Sequence, residues 1–253
     1  MSKIYHYTTL KNALEYILPK KQLRTNSLHN MNDPKENQLW SFGGGGMGIN
    51  ELYPDVYSLE NHIDLQYKLG DEIKSSCQIL CFVNDNPQKG ILNEMMWAHY
   101  ADNHRGICLE IDSEKFIQEN EEQLMEYAFE PVTYGAHAQL IFWGNRNLGK
   151  DDNIKSFVKK EYKQLFLRKS IYWEHENEKR LLIFNALQKY LSIKESLVGV
   201  YMGLSMPYSY RPSMDNLVNE THTKIYDLVY QSNTIEAWQR DKNDFRPVIG
   251  RGK

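Results

Sequence analysis

The sequence predicts an α+β fold, and three observations carry that expectation. Short apolar, β-compatible runs recur along the chain, at residues 78–83, 107–111, 181–184 and 225–230. Between them lie segments whose apolar residues recur at three- and four-residue spacing, the signature of a helix with one buried face. No internal repeat, linker or membrane-length apolar run interrupts this pattern, so the 253 residues are expected to form a single soluble domain. Its core is expected over about residues 4–230, with a polar tail at 241–253. Hydrophobic residues make up 41% and charged residues 25%, a balance that favours a packed core over disorder. The formal net charge of -3 gives no overall basic footprint for nucleic acid. Residues 1–11 hold no apolar signal-peptide core, which leads to the expectation of a cytoplasmic protein.

Taken in order, residues 4–9 form a strand with alternating aromatics, and Thr8 or Thr9 caps the helix that follows. Leu10, Ala13, Leu14 and Ile17 share a helical face, and Pro19 ends that helix near Leu18. His6, flanked by Tyr5, Tyr7 and Thr8, makes a compact polar surface suited to a ribose or an amide. A structural, hydrogen-bonding histidine fits the same residues. Residues 21–25 form a second short strand, whose Arg24 suits either a snorkelling surface side chain or a phosphate clamp. Asn32, Asp33 and Pro34 mark a turn. The glycine-rich run at 43–48 lacks the Gly-Lys-Ser/Thr ending of a phosphate loop and reads as a flexible loop or lid. A helix over about residues 59–74 offers Ile63, Tyr67 and Leu69 to a core.

Residues 78–83 form a buried strand that stops at the turn-rich Asn84-Asp85-Asn86-Pro87. A short helix follows, in which Met96, Trp97 and Tyr100 meet through i, i+3 and i, i+4 contacts. Aromatics at that spacing serve a core, while the nearby His99, His104 and Arg105 are polar enough to line a cleft. Gly106 turns the chain into the strand at 107–111. A helix capped by Asp112 or Ser113 runs toward Tyr127, and a lysine-rich amphipathic helix covers 151–169 with its charges in solvent. Strands at 197–203 and 225–230 and a short helix at 213–221 complete the fold. Cys77, Cys81 and Cys108 are too few for a disulfide framework and read as buried thiols. No cluster has zinc-ligand spacing, so no metal centre is expected.

The most chemically loaded stretch is Trp173-Glu174-His175-Glu176-Asn177-Glu178-Lys179-Arg180, which leads into the apolar residues 181–184. If extended geometry begins by Glu176, period-two alternation places Glu176, Glu178 and Arg180 on one face. Neighbouring carboxylates raise one another's pKa and an arginine lowers both, so one site can hold an ionised and a protonated acid. A salt-bridged, solvated strand edge satisfies the same pattern.

Four segments then bear on identity: Tyr5-His6-Tyr7-Thr8, Asn32-Asp33-Pro34 with Glu36, Met96-Trp97-Ala98-His99-Tyr100-Ala101 before Gly106, and Trp173-x-x-Glu176-x-Glu178-x-Arg180. In this order and spacing, over residues 4–230, they resemble the bacterial domain-of-unknown-function family 2971 (DUF2971), commonly grouped near the ADP-ribosyltransferases. The resemblance implies a split, mostly antiparallel sheet with surrounding helices and a central cleft for NAD. It implies that His6, with Tyr7 and Thr8, holds a ribose, and that Trp97 or Tyr100 stacks on nicotinamide, here from a helix where the transferases carry a strand. It implies too that Glu178 or Glu176 contacts the nicotinamide ribose. Arg24 is the candidate for the pyrophosphate on charge alone. Glu176-Asn177-Glu178 is similar to the Glu-x-Glu pair of arginine-modifying transferases.

The expected activity is therefore cleavage of the nicotinamide–ribose bond of NAD and transfer of ADP-ribose to a nucleic acid, protein or small-molecule acceptor, as in a toxin or phage-defence effector. NAD enters as substrate. Hydrolysis of NAD is a related expectation, and a non-catalytic module that senses a nucleotide or binds a protein through the same cleft is the alternative of a different class.

Overall fold

A computed structural model describes residues 2–31, 33, 36, 40, 42–43, 62–85, 90–136, 139–142, 145, 147–219, 223–231 and 234–240. Its principal strands are β1 (Lys3–Thr8), β2 (Cys77–Asn84), β3 (Ile107–Asp112), β4 (Tyr127–Pro131), β5 (Glu178–Phe184), β6 (Leu197–Met202), β7 (Lys224–Gln231) and β8 (Thr234–Gln239). The longer helices are α1 (His62–Ser75), α2 (Glu94–Tyr100), α3 (Ser113–Glu119), α4 (Lys150–Phe166) and α5 (Arg211–Asn219). The fold is α+β, and its strand pairing is mostly antiparallel. The chain divides into two compact units built from interleaved segments. The first comprises Met1–Gln22, Asp85–Glu119 and Ile193–Lys253, the second Leu23–Asn84 and Asn120–Ser192.

In the first unit the strand order is β8-β7-β6-β3-β1, parallel between β6 and β7 and antiparallel elsewhere. Tyr5 lies opposite Glu110 and Tyr7 opposite Cys108, so these four share one face, while Ile4, His6 and Thr8 point to the other. Thr9 caps the first helix by accepting from the Asn12 backbone N–H. That helix does not stop near Leu18. It passes through a π turn and ends at Lys20, because Pro19 falls in the first turn of the closing α segment, where its missing N–H costs little. The left-handed Lys21 then ends it. Asp112 caps α3 by accepting from the N–H groups of Glu114 and Lys115. Gly106 is needed for space: a Cβ there would stand 2.2 Å from the Thr8 carbonyl oxygen. The strand β8 was not foreseen; it forms a hairpin with β7.

In the second unit the order is β2-β5-β4, antiparallel throughout. The helix expected to run on to Tyr127 ends at Glu119. At Tyr127, where the helix was expected to end, a strand begins instead, and residues 127–131 pair with β5, about fifty residues away. The core gathers Leu69, Ile73, Ile79, Phe157, Phe166 and Leu182. Tyr67 departs from expectation, being 56% exposed, and Ile73, one turn beyond Leu69, takes the core position. Helix α4 buries Ile154, Phe157, Val158, Leu165 and Phe166 as its spacing predicts. Cys77 and Cys108 are buried and Cys81 half-buried, all as free thiols, and burial pushes Cys77 up to about 12. The side chain of Ile63, the turn around Asp33, the glycine run beyond Gly43 and the tail at 241–253 lie outside the described residues. No helix among the described residues is long and apolar enough to cross a membrane.

Candidate functional site

The chemically loaded stretch folds as a six-residue 3-10 turn, Ile171–Glu176, followed by β5. Asn177 joins them in the left-handed conformation, with φ 46° and ψ 48°, which asparagine tolerates better than most residues. Extended geometry therefore begins at Glu178, so Glu176 does not share the β5 face by alternation. It reaches the same place by another route. Lys169 stands in the short strand Arg168–Lys169, which pairs with Thr133–Tyr134, and its ammonium meets Glu176 Oε2 at 2.6 Å and Glu178 Oε2 at 2.9 Å. The lysine thus bridges the two glutamates.

Glu178 and Arg180, two residues apart on β5, point to one face and form a two-contact pair, Nε to Oε1 at 2.8 Å and Nη2 to Oε2 at 3.2 Å. The remaining nitrogen, Nη1, donates to the Phe166 carbonyl at 2.7 Å and makes an ion-pair contact with Glu36 Oε1 at 2.6 Å. Tyr134 adds a support, its phenol oxygen accepting from the Glu178 backbone N–H at 2.8 Å. The result is a chain of charges, Glu36–Arg180–Glu178–Lys169–Glu176. Every member is nearly excluded from solvent, Arg180 completely. Trp173, half-buried, lies over the Lys169 ammonium at 5.3 Å, with His175 stacked on its ring.

Burial opposes ionisation of Glu178, but Arg180 and Lys169 more than reverse it and hold the carboxyl at about 2. Glu36 goes the other way: burial pushes it up against the weaker opposing pull of Arg180 and Lys169. Burial works against a charged Lys169 too, yet Glu178, Glu36 and Glu176 together raise it above the ordinary lysine range. One unit thus places on the same guanidinium a firmly ionised carboxylate and a second carboxyl that burial pushes upward. Sequence reasoning found Glu176, Glu178 and Arg180 as a set and gave Glu36 no role; it read Lys169 as the end of the solvent-facing lysine-rich helix, whereas that helix ends at Phe166 and Lys169 is a buried strand residue. The only trace of Glu36 was its place beside the Asn32-Asp33-Pro34 segment.

The other candidates are distributed differently. His6, Tyr7, Thr8, Trp97 and Tyr100 belong to the first unit, and Arg24 to the second with the glutamates. His6 is half-buried on the face opposite Tyr7. Tyr7 donates to the Gly90 carbonyl and packs edge-on against Trp97 at 5.1 Å. Trp97 is fully buried, donates through Nε1 to the Ile91 carbonyl at 2.7 Å and carries His104 stacked on its ring. Thr8 is buried, Tyr100 half-buried at the end of α2, and Arg24 exposed. Alternation along β1 thus separates Tyr7 from His6 and Thr8. Among the described residues no group of His, Cys, Asp or Glu side chains is arranged to hold a metal ion.

No curated protein and no solved structure matches the chain at a significant level. Residues 96–181, the segment that runs from α2 through Lys169, Glu176, Glu178 and Arg180, match the family described as protein of unknown function DUF2971.

Proposed function

We propose that this protein is an NAD-consuming enzyme of the ADP-ribosyltransferase kind, which cleaves the nicotinamide–ribose bond and passes ADP-ribose to a nucleic acid, protein or small-molecule acceptor, as a toxin or phage-defence effector does. The observation that carries the reading is the ionised Glu178, set by Arg180 and Lys169 in a water-poor surround beside an acid of raised pKa. In the reaction the glycosidic bond breaks with its electron pair passing to the nicotinamide nitrogen, and the ribose carbon becomes cationic. A fixed carboxylate at that carbon is worth about 3 kcal/mol of barrier. The acceptor then bonds to the same carbon and gives up its proton, a step for which Glu176 is the candidate base. Arg24, in the same unit as the glutamates, is the candidate pyrophosphate contact. Water as acceptor makes the same chemistry an NAD hydrolysis.

The test is nicotinamide release from NAD by wild type and Glu178→Gln, with and without host lysate, each variant checked by thermal melting. Release by wild type that folded Glu178→Gln lacks is the expected result, and label carried to a macromolecule separates transfer from hydrolysis. No release with NAD still bound supports the second reading, a nucleotide-sensing or protein-binding module. A specific observation favours that reading: Glu178 is only 6% exposed and its oxygens are already occupied by Arg180 and Lys169.

A further inference from the structure

The five-stranded sheet of the first unit ends at β8, whose outer edge pairs with no strand among the described residues. The Arg240 N–H donates to the Ile225 carbonyl at 2.8 Å. Alternation along the antiparallel ladder therefore turns the N–H and C=O groups of Thr234, Glu236 and Trp238 inward to β7 and those of Ile235, Ala237 and Gln239 outward. An edge of this kind is a template for another strand, and proteins usually guard it with a lysine, a proline or a bulge. Strand β8 has none of these. Its residues, Thr234-Ile235-Glu236-Ala237-Trp238-Gln239, include two β-branched side chains and an indole, and its ladder with β7 runs without a shift of register. The charges at hand are engaged within the unit: Glu236 accepts from Trp238 Nε1 at 3.0 Å, and Arg240 is held by Asp215 and Asp227. Trp238 remains 52% exposed, and Tyr230, opposite Ile235, 62%.

We propose that β8 pairs antiparallel with the β8 of a second copy of this chain, about a two-fold axis through Ala237, so that the sheet continues from one copy into the next. Self-complementarity identifies the occupant. A two-fold axis through an antiparallel pair sets one residue opposite itself. With Ala237 in that place, Ile235 meets Gln239, Glu236 meets Trp238 and Thr234 meets Arg240, so each residue from 234 to 240 gains a partner and no like charges face each other. An axis through Glu236 opposes two carboxylates, and one through Trp238 carries Thr234 and Ile235 past the end of the described strand. Around Ala237 the outward groups of Ile235, Ala237 and Gln239 supply about six backbone hydrogen bonds between the copies. Such a ribbon is a small interface of the weaker class, and it is independent of the nucleotide reading.

The experiment is sedimentation equilibrium of the full chain from about 1 to 100 μM, wild type beside Ala237→Pro, with thermal melts of both. The proline removes an outward N–H and none that bonds β7, so the hairpin should keep its stability while the edge loses its pairing. We expect wild type to pass from one copy to two across that range, and Ala237→Pro to stay at one copy and melt within about 3 °C of wild type. Disulfide formation under mild oxidation by diamide then tests the register in Ala237→Cys and Ile235→Cys, with wild type as the control for the native cysteines. In the proposed pair the two Cα atoms at 237 stand about 5.5 Å apart, within disulfide reach, and those at 235 about 14 Å apart. Ala237→Cys should therefore form a covalent dimer at least several-fold faster. A wild type that stays at one copy up to 100 μM overturns the proposal. So does a dimer that a folded Ala237→Pro leaves intact, which places the contact elsewhere, or a disulfide that forms as fast at 235 as at 237. If Ala237→Pro melts well below wild type, the disulfide comparison decides by itself.

Discussion

Arg180→Met tests whether the guanidinium holds the second unit together. Arg180 is fully buried and serves Glu178 twice, Glu36 once and the Phe166 carbonyl once. Methionine can refill the space of the apolar stem but supplies none of these donors. The loss can be bounded from Glu178. Its carboxyl is held at about 2 against an ordinary value of 4.5, a difference equivalent to about 3 kcal/mol, to which Arg180 and Lys169 both contribute. Breaking a buried ion pair from one side costs about 3–5 kcal/mol, and here a second carboxylate and a backbone carbonyl lose their partner as well. Protonation of Glu36 and Glu178 limits the damage. A net loss of about 4 kcal/mol follows, or a melting temperature lower by about 8–15 °C in a chain of this size. Thermal melts followed by circular dichroism, with hydrogen exchange read on the β5 amides, give the answer. Arg180→Lys, which keeps the charge but not the fork, should fall between the two. A melting temperature within about 3 °C of wild type for Arg180→Met, with β5 protection unchanged, would refute the reasoning.

The same cluster sets an acid limit. Because the folded pKa of Glu178 lies below its unfolded value of 4.5, its stabilisation is complete above pH 4.5 and disappears as pH falls toward about 2. Urea melts across that window should show wild type losing about 3 kcal/mol more than Glu178→Gln, and parallel curves would place the acid sensitivity elsewhere. In the first unit, Gly106→Ala drives a methyl group against the Thr8 carbonyl, where the gap is 2.2 Å. It should cost about 2 kcal/mol in urea unfolding, the usual price of forced overpacking, and a neutral result would mean that the loop after α2 relaxes freely.

The sequence by itself determined the elements whose signal is local. Apolar runs marked β2, β3, β5, β6 and β7, and three- to four-residue spacing marked α2 and the buried face of α4. The caps were legible to within a residue, as Thr8 or Thr9 and Asp112 or Ser113, because a cap bonds only two or three residues away, and the structure assigns them to Thr9 and Asp112. The stretch from Trp173 to Arg180 was legible as a charge cluster because its charges stand at the head of a buried strand. What only the tertiary structure decided is which charges meet. Glu36 and Lys169 reach Arg180 and Glu178 from 144 and 9 residues away, and no sequence period links them. The left-handed Asn177 shifted the start of β5, and residues 127–131, which begin where the expected helix was to end, form a strand paired with β5. Trp97 was placed in a core and Tyr7 on the face opposite His6 by packing and by the alternation of a real strand. The physical reason is common to all of these. A propensity or a cap acts over one turn of chain, whereas a buried charge is tolerable only when partners from distant segments arrive together, and that arrival is a property of the assembled fold.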